Sequence, residues 1–199
     1  MKQVLIETQL FKPIKGLLSE GKMSERGNPL VHGILATCEV ENGNGRYYSE
    51  KLWKREIDKY MDLVKQNRAC GELDHPESQV VNLKNVSHNI KDINWDGKNI
   101  MGTIEILPTP SGNILKALID SGITVGVSSR GMGSLEQKGD LMEVQDDFEL
   151  LCWDFVSTPS NPGSFMTIKE GKENNINTYA KANSIVTEIL CANGNCPIF

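Results

Sequence analysis

Asp96-Gly97 stands between two runs of strand-forming residues, Val86–Trp95 and Asn99–Leu107. A short Asp-Gly link favours a turn whose twist suits an antiparallel hairpin. No other feature constrains the fold as much, because it commits that whole stretch to a sheet. Further strand patterns lie on both sides. Leu30 to Glu41 (LVHGILATCEVE) reads as a strand, and the cluster Asn42 to Tyr48 (NGNGRYY) reads as the turn after it. Ile123–Ser128, Leu141–Val144 and Phe148–Ser157 read as three more, with Lys138-Gly139-Asp140 as a turn.

Two helices interrupt the strands. Ser49 is placed to cap Glu50–Gln66, where Leu52, Trp53, Ile57, Tyr60, Met61 and Val64 recur at helical spacing. Asn113–Asp120 is a shorter helix with Gly122 as its C-terminal cap. The expected fold is α+β and strand-rich, a closed or partly closed β-barrel with flanking helices. The 199 residues suit one domain with appendages. Residues 1–28 read as an N-terminal accessory or cleavable segment and 29–168 as the body. The Asn-rich stretch 169–199 reads as a removable tail.

Composition narrows the function. The net charge is −5 and no Lys/Arg stripe exists, which argues against nonspecific nucleic-acid binding. No apolar run approaches the ~20 residues of a membrane-spanning helix. The start, MKQVLIETQLFKPIK, is broken by Glu7 and does not read as a signal peptide. Cys38, Cys70, Cys152, Cys191 and Cys196 are odd in number and widely spaced, which suits a reducing compartment better than a disulfide framework. Cys191 and Cys196 lack further ligands at zinc spacing, so neither a metal nor a cofactor is expected.

Few residues remain that could carry chemistry. His32 lies in an apolar strand pattern and reads as a core or edge histidine; His88 reads as a strand residue facing solvent or a polar pocket. His75, in GELDHP (Gly71–Pro76), is held extended by Pro76 and follows Glu72 and Asp74, which could orient an imidazole. Ser128 and Ser129, in GVSSRGMGS (Gly126–Ser134), stand at the end of a predicted strand. That stretch reads either as a turn or as a nucleophile beside an oxyanion site. Asp154, in the apolar LLCWDFV, is costly to bury unless paired, and a histidine would pair it. A serine, a histidine and a carboxylate form a triad by geometry, whatever their chain order.

GELDHP, then GVSSRGMGSL, then FELLCWDFVSTPSNP, in that order, resemble the prohead proteases of T-even-type tailed bacteriophages. The resemblance spans roughly residues 30–165, including the Asn-x-Asn-x-Arg-x-Tyr turn of residues 42–48, with a weaker likeness at VLIET near the start. It implies an assemblin-like serine endopeptidase with His75 as general base, Ser128 as nucleophile and Asp154 as third member. Ser129 is the competing nucleophile, and Arg130 and Gly131 would line the oxyanion site. Similarity to this family also implies cleavage after Leu/Ile-x-Glu, in scaffold, core and capsid proteins and in the chain itself. That motif occurs at Glu7, Glu20, Glu143 and Glu170. Glu143 falls in a predicted strand and should be protected, leaving Glu7, Glu20 and Glu170 as self-cleavage candidates. The resemblance implies a place inside the prohead in the host cytoplasm, with self-association and activity delayed until assembly. Two other readings remain: a non-enzymatic prohead scaffold or core component, and an esterase. The esterase elbow Gly-x-Ser-x-Gly would end at Arg130, so its last glycine is missing.

Overall fold

The expected hairpin forms, with its turn one residue further along. Asp96 pairs with Asn99, so Gly97 and Lys98 make the connection. Gly97 has φ +59°, a left-handed conformation that glycine adopts without steric cost. The structure, a computed structural model, describes residues 2–9, 23–76, 78–157 and 165–166. Within them the strands are β1 (Gln3–Gln9), β2 (Leu30–Thr37), β3 (Arg46–Tyr47), β4 (Cys70–Glu72), β5 (Val86–Asp96), β6 (Asn99–Ile106), β7 (Val125–Gly133), β8 (Leu135–Lys138), β9 (Leu141–Val144), β10 (Glu149–Val156) and β11 (Phe165–Met166). The helices are α1 (Glu50–Lys65) and α2 (Pro110–Asp120).

Three sheets result, ordered β2-β6-β5-β4, β1-β7-β10 with β11 also on β7, and β3-β9-β8. The strand-rich α+β expectation holds, but no sheet closes on itself among the described residues. The first two sheets meet at a seam where Leu73 forms one parallel bridge with Phe155 and the Asp74 amide donates to the Phe155 carbonyl at 2.8 Å. β4 has only three residues, and Asp74, at φ +72°, turns the chain away. The ladder therefore stops before a ring is complete. Gly71 makes this seam possible: a Cβ there would lie 1.9 Å from the Trp153 carbonyl oxygen.

Residues 3–9, assigned from sequence to the accessory segment, form β1, which pairs with β7 along all seven residues. β7 also runs further than expected, to Gly133, so Ser128 and Ser129 lie inside a strand and not in a turn. Its glycines suit packing: a Cβ on Gly131 would lie 2.4 Å from the Phe148 ring. The 169–199 tail, with Cys191 and Cys196, lies outside the described residues.

Both helices cover sheet faces. The Ser49 hydroxyl accepts from the Leu52 amide, and α1 buries Leu52, Trp53, Ile57, Tyr60 and Val64. Trp53 stacks on Trp153 with ring centroids 6.2 Å apart, and Tyr60 meets the same ring edge-on at 4.9 Å. This anchors β10, the strand that carries Asp154. α2 starts three residues earlier than expected because Thr109 caps it and Pro110 supplies a preset helical φ in its first turn. No helix among the described residues is long and apolar enough to cross a membrane.

Candidate active site

Antiparallel register brings two of the singled-out residues together. Ser128 on β7 lies directly opposite Asp154 on β10. Directly opposed residues point to the same face, with Cβ atoms about 5 Å apart. Both side chains are fully buried. The loop after β4 then lays His75 across them. Its Nε2 is hydrogen-bonded to Ser128 Oγ, and its Nδ1 lies 2.9 Å from Asp154 Oδ2. The imidazole is the exposed member, with 13% of its side chain open to solvent. Asp74 pins this loop through its backbone, and Pro76 favours extended geometry at His75.

Asp154 and not Glu72 or Asp74 faces the imidazole. Glu72 belongs to a second layer that the sequence reading missed. Arg130, one row along the same face of β7, is fully buried. Its Nε lies 3.0 Å from Asp154 Oδ2, and its Nη2 donates to Glu72 Oε1 at 2.9 Å. Nη1 donates to the Ser78 carbonyl at 2.7 Å, and the Glu72 amide donates to Asp154 Oδ1 at 2.9 Å. Burial pushes the Asp154 carboxyl up, but His75, the Glu72 amide and Arg130 outweigh it and hold the group below its usual range. Asp154 is therefore an anion at neutral pH, able to stabilise an imidazolium. Cys152, opposite Arg130, is kept a thiol mainly by burial.

Arg130 and Gly131 do not stand where oxyanion donors were expected. The Arg130 guanidinium turns inward to the two carboxylates. Gly131 is three residues along the strand from Ser128, about 10 Å at strand rise. Ser129 points to the opposite face, paired with Glu7 and Trp153, and is not brought to His75. Glu7 lies in β1 with its carboxylate buried, and Glu143 lies in β9 as expected. Glu20 and Glu170 lie outside the described residues. Among the described residues, no group of three His, Cys, Asp or Glu is arranged to hold a metal ion.

His88 does not face solvent. It is fully buried on β5, with Nε2 3.0 Å from the Trp153 carbonyl and Nδ1 2.8 Å from Ser87 Oγ. The carbonyl can only accept, so Nε2 carries the proton. Burial lowers the pKa from 6.5 to about 4, against the opposing pull of Asp154. The unfolded chain then binds this proton more readily than the folded one. Stability is full above about 6.5 and falls as pH drops toward 4, by about 1.4 kcal/mol per pH unit. Urea unfolding should show a loss of about 2 kcal/mol between pH 6.5 and 5. A His88→Gln chain should lose clearly less over that interval; equal losses would place the acid sensitivity elsewhere. His32, in contrast, sits half-buried on edge strand β2 beside Thr103, as its pattern implied.

The sequence and the fold both have relatives among known proteins. A family model described as "prohead core protein serine protease" matches residues 13–176. The prohead core protein protease of Enterobacteria phage T4 is 32% identical over 145 residues, covering 70% of this chain and 68% of the relative. The structure of the bacteriophage T4 capsid assembly protease superposes with a TM-score of 0.71 at 31% identity, covering 78% of this chain and 98% of that one.

Proposed function

The chain belongs to the family of prohead core serine proteases, and we propose that it is a serine endopeptidase which cuts scaffold, core and capsid proteins inside the phage prohead. The single observation that carries the mechanism is the His75 imidazole, in contact with Ser128 Oγ on one side and Asp154 on the other. His75 Nε2 takes the hydroxyl proton as Ser128 Oγ attacks the carbonyl carbon. The ionised Asp154 stabilises the imidazolium, which then protonates the leaving amine. Water repeats the sequence on the acyl-enzyme, releasing the carboxylate product and restoring Ser128. A non-enzymatic scaffold or core component would have no use for this arrangement of a hydroxyl, an imidazole and an ionised carboxylate.

The cleavage rule, after Leu/Ile-x-Glu, and its use on the chain itself belong to the same reading. Thr8 of β1 lies directly opposite Ser128, so the Glu7–Thr8 peptide runs beside the proposed nucleophile on the neighbouring strand, about 5 Å away. This favours Glu7 as a self-processing site. Intact mass followed over time tests the proposal. The full-length chain is expected to lose residues 1–7. A Glu7→Gln chain should retain them, with cutting at that bond slowed about 100-fold. No mass change in the unaltered chain, under dilute and assembling conditions alike, would remove the support for self-processing and favour the scaffold reading.

A further inference from the structure

We infer that Asn42, Asn44, Arg46 and Tyr48 form the subsite that recognises the substrate glutamate, occupied in this structure by the chain's own Glu7. This rests on the protease reading above and names what that reading lacks, the group that selects the residue before the cut.

A carboxylate taken out of water must be paired and hydrogen-bonded to be tolerated. Glu7 is buried, and four side chains meet it. Arg46 Nη1 donates to Oε1 at 2.6 Å, and the Tyr48 hydroxyl donates to the same oxygen at 2.7 Å. Asn44 Nδ2 donates to Oε2 at 3.0 Å, and Asn42 Nδ2 donates there also. Burial, then the neighbouring Glu7 carboxylate, pushes the Tyr48 phenol well above its ordinary value, so its O–H remains to donate. All four neighbours donate to the carboxylate, and the Arg46 charge pairs with it in a way that a neutral amide in its place cannot match. Asn44 Nδ2 also reaches the Ile6 carbonyl at 3.0 Å, which holds the peptide backbone ahead of the cut.

The four residues alternate along 42–48, a turn and short strand whose spacing puts every second side chain toward one point. Their location supports a substrate role. Leu5 and Glu7 share a face of β1, opposite Gly131 and Ser129, and both are buried; Ile6 points to the other face. The two residues specified in Leu/Ile-x-Glu are thus the two buried on this face of β1. Ser128 points to the face opposite the Glu7 side chain. One face of the sheet can then hold the glutamate while the other presents the hydroxyl to the carbonyl that follows it.

The test compares two fluorogenic peptides, one carrying Val-Leu-Ile-Glu-Thr-Gln and one with Gln in place of Glu. The enzymes are the full chain and its Arg46→Met, Arg46→Lys and Tyr48→Phe variants. The readout is the ratio of kcat/KM for the two peptides, which does not depend on how much enzyme is folded or active. The unaltered chain is expected to favour Glu by about 100-fold, since charge-assisted hydrogen bonds to a desolvated carboxylate are lost with Gln. Arg46→Met should bring the ratio below about 10, with Arg46→Lys and Tyr48→Phe in between. An unchanged ratio in all variants would overturn the subsite and leave the protease standing. If the unaltered chain cuts neither peptide, under dilute and assembling conditions alike, the protease reading falls and the subsite with it.

Discussion

Ser128→Ala is expected to abolish cleavage of a Leu-Ile-Glu-Thr peptide, lowering kcat by on the order of 10⁶-fold, and Ser129→Ala to change it by less than about tenfold. The two serines are adjacent in sequence and opposite in space. Ser128 shares its face with Asp154 and touches His75, whereas Ser129 faces Trp153 and Glu7. His75→Ala should match the loss at Ser128, because members of one proton-transfer unit are not additive. Active-site titration with a serine-reactive phosphonate checks this directly. One label per chain is expected, retained in Ser129→Ala and lost in Ser128→Ala. The reverse pattern would assign the nucleophile to Ser129, and no label in any chain would count against acyl-enzyme chemistry.

Arg130→Met is the second large effect, on stability first and on rate through it. Arg130 is fully buried and bridges two carboxylates that are themselves fully buried, Glu72 and Asp154. Without the guanidinium these two negative charges remain in the core with one cation fewer. Breaking a buried ion network from one side costs about 3–5 kcal/mol, which for a domain of this size lowers Tm by about 10 °C. The deficit should be largest at neutral pH and shrink as pH falls, because the variant can then relieve the repulsion by protonating a carboxylate. Arg130→Lys keeps the charge but not the forked geometry and should fall between. Adding Glu72→Gln to Arg130→Met should recover part of the stability. Urea unfolding of the four chains at pH 7 and pH 5.5 measures this. A loss in Arg130→Met below about 1 kcal/mol at pH 7, or the same loss at both pH values, would mean that Arg130 is not a charge partner.

Much of this arrangement was legible in the chain. The hairpin around Gly97 and the α1 stripe follow from local chemistry, a turn that tolerates positive φ and an apolar period near 3.6. Asp154 stood out because a carboxylate in LLCWDFV needs a partner, and His75 because Pro76 and its acidic neighbours mark it off from an ordinary loop histidine. The errors share a cause. Arg130 and Glu72 were read from their sequence neighbours, but each is employed by residues far along the chain. Gly131 was read as flexible, when the Phe148 ring is what forbids a side chain there. The strand β1, inside the stretch read as an accessory or cleavable segment, was not foreseen, because a short strand with one charge carries little periodic signal and only its pairing with β7 reveals it. Residues 42–48 were read as a turn, which is locally right and says nothing about where four alternating donors point.

By itself the sequence determined the longer elements and the kinds of groups available: strands from alternation and β-branching, helices from caps and stripes, and a short list of residues able to move protons. The tertiary structure alone decided which serine meets the histidine, what neutralises the buried carboxylates, and what holds Glu7. Those are questions of register and distance between strands remote in sequence. A shift of one residue along β7 would exchange the faces of Ser128 and Ser129, and nothing local to GVSSRG prevents it. What prevents it is the packing of β7 between β1 and β10.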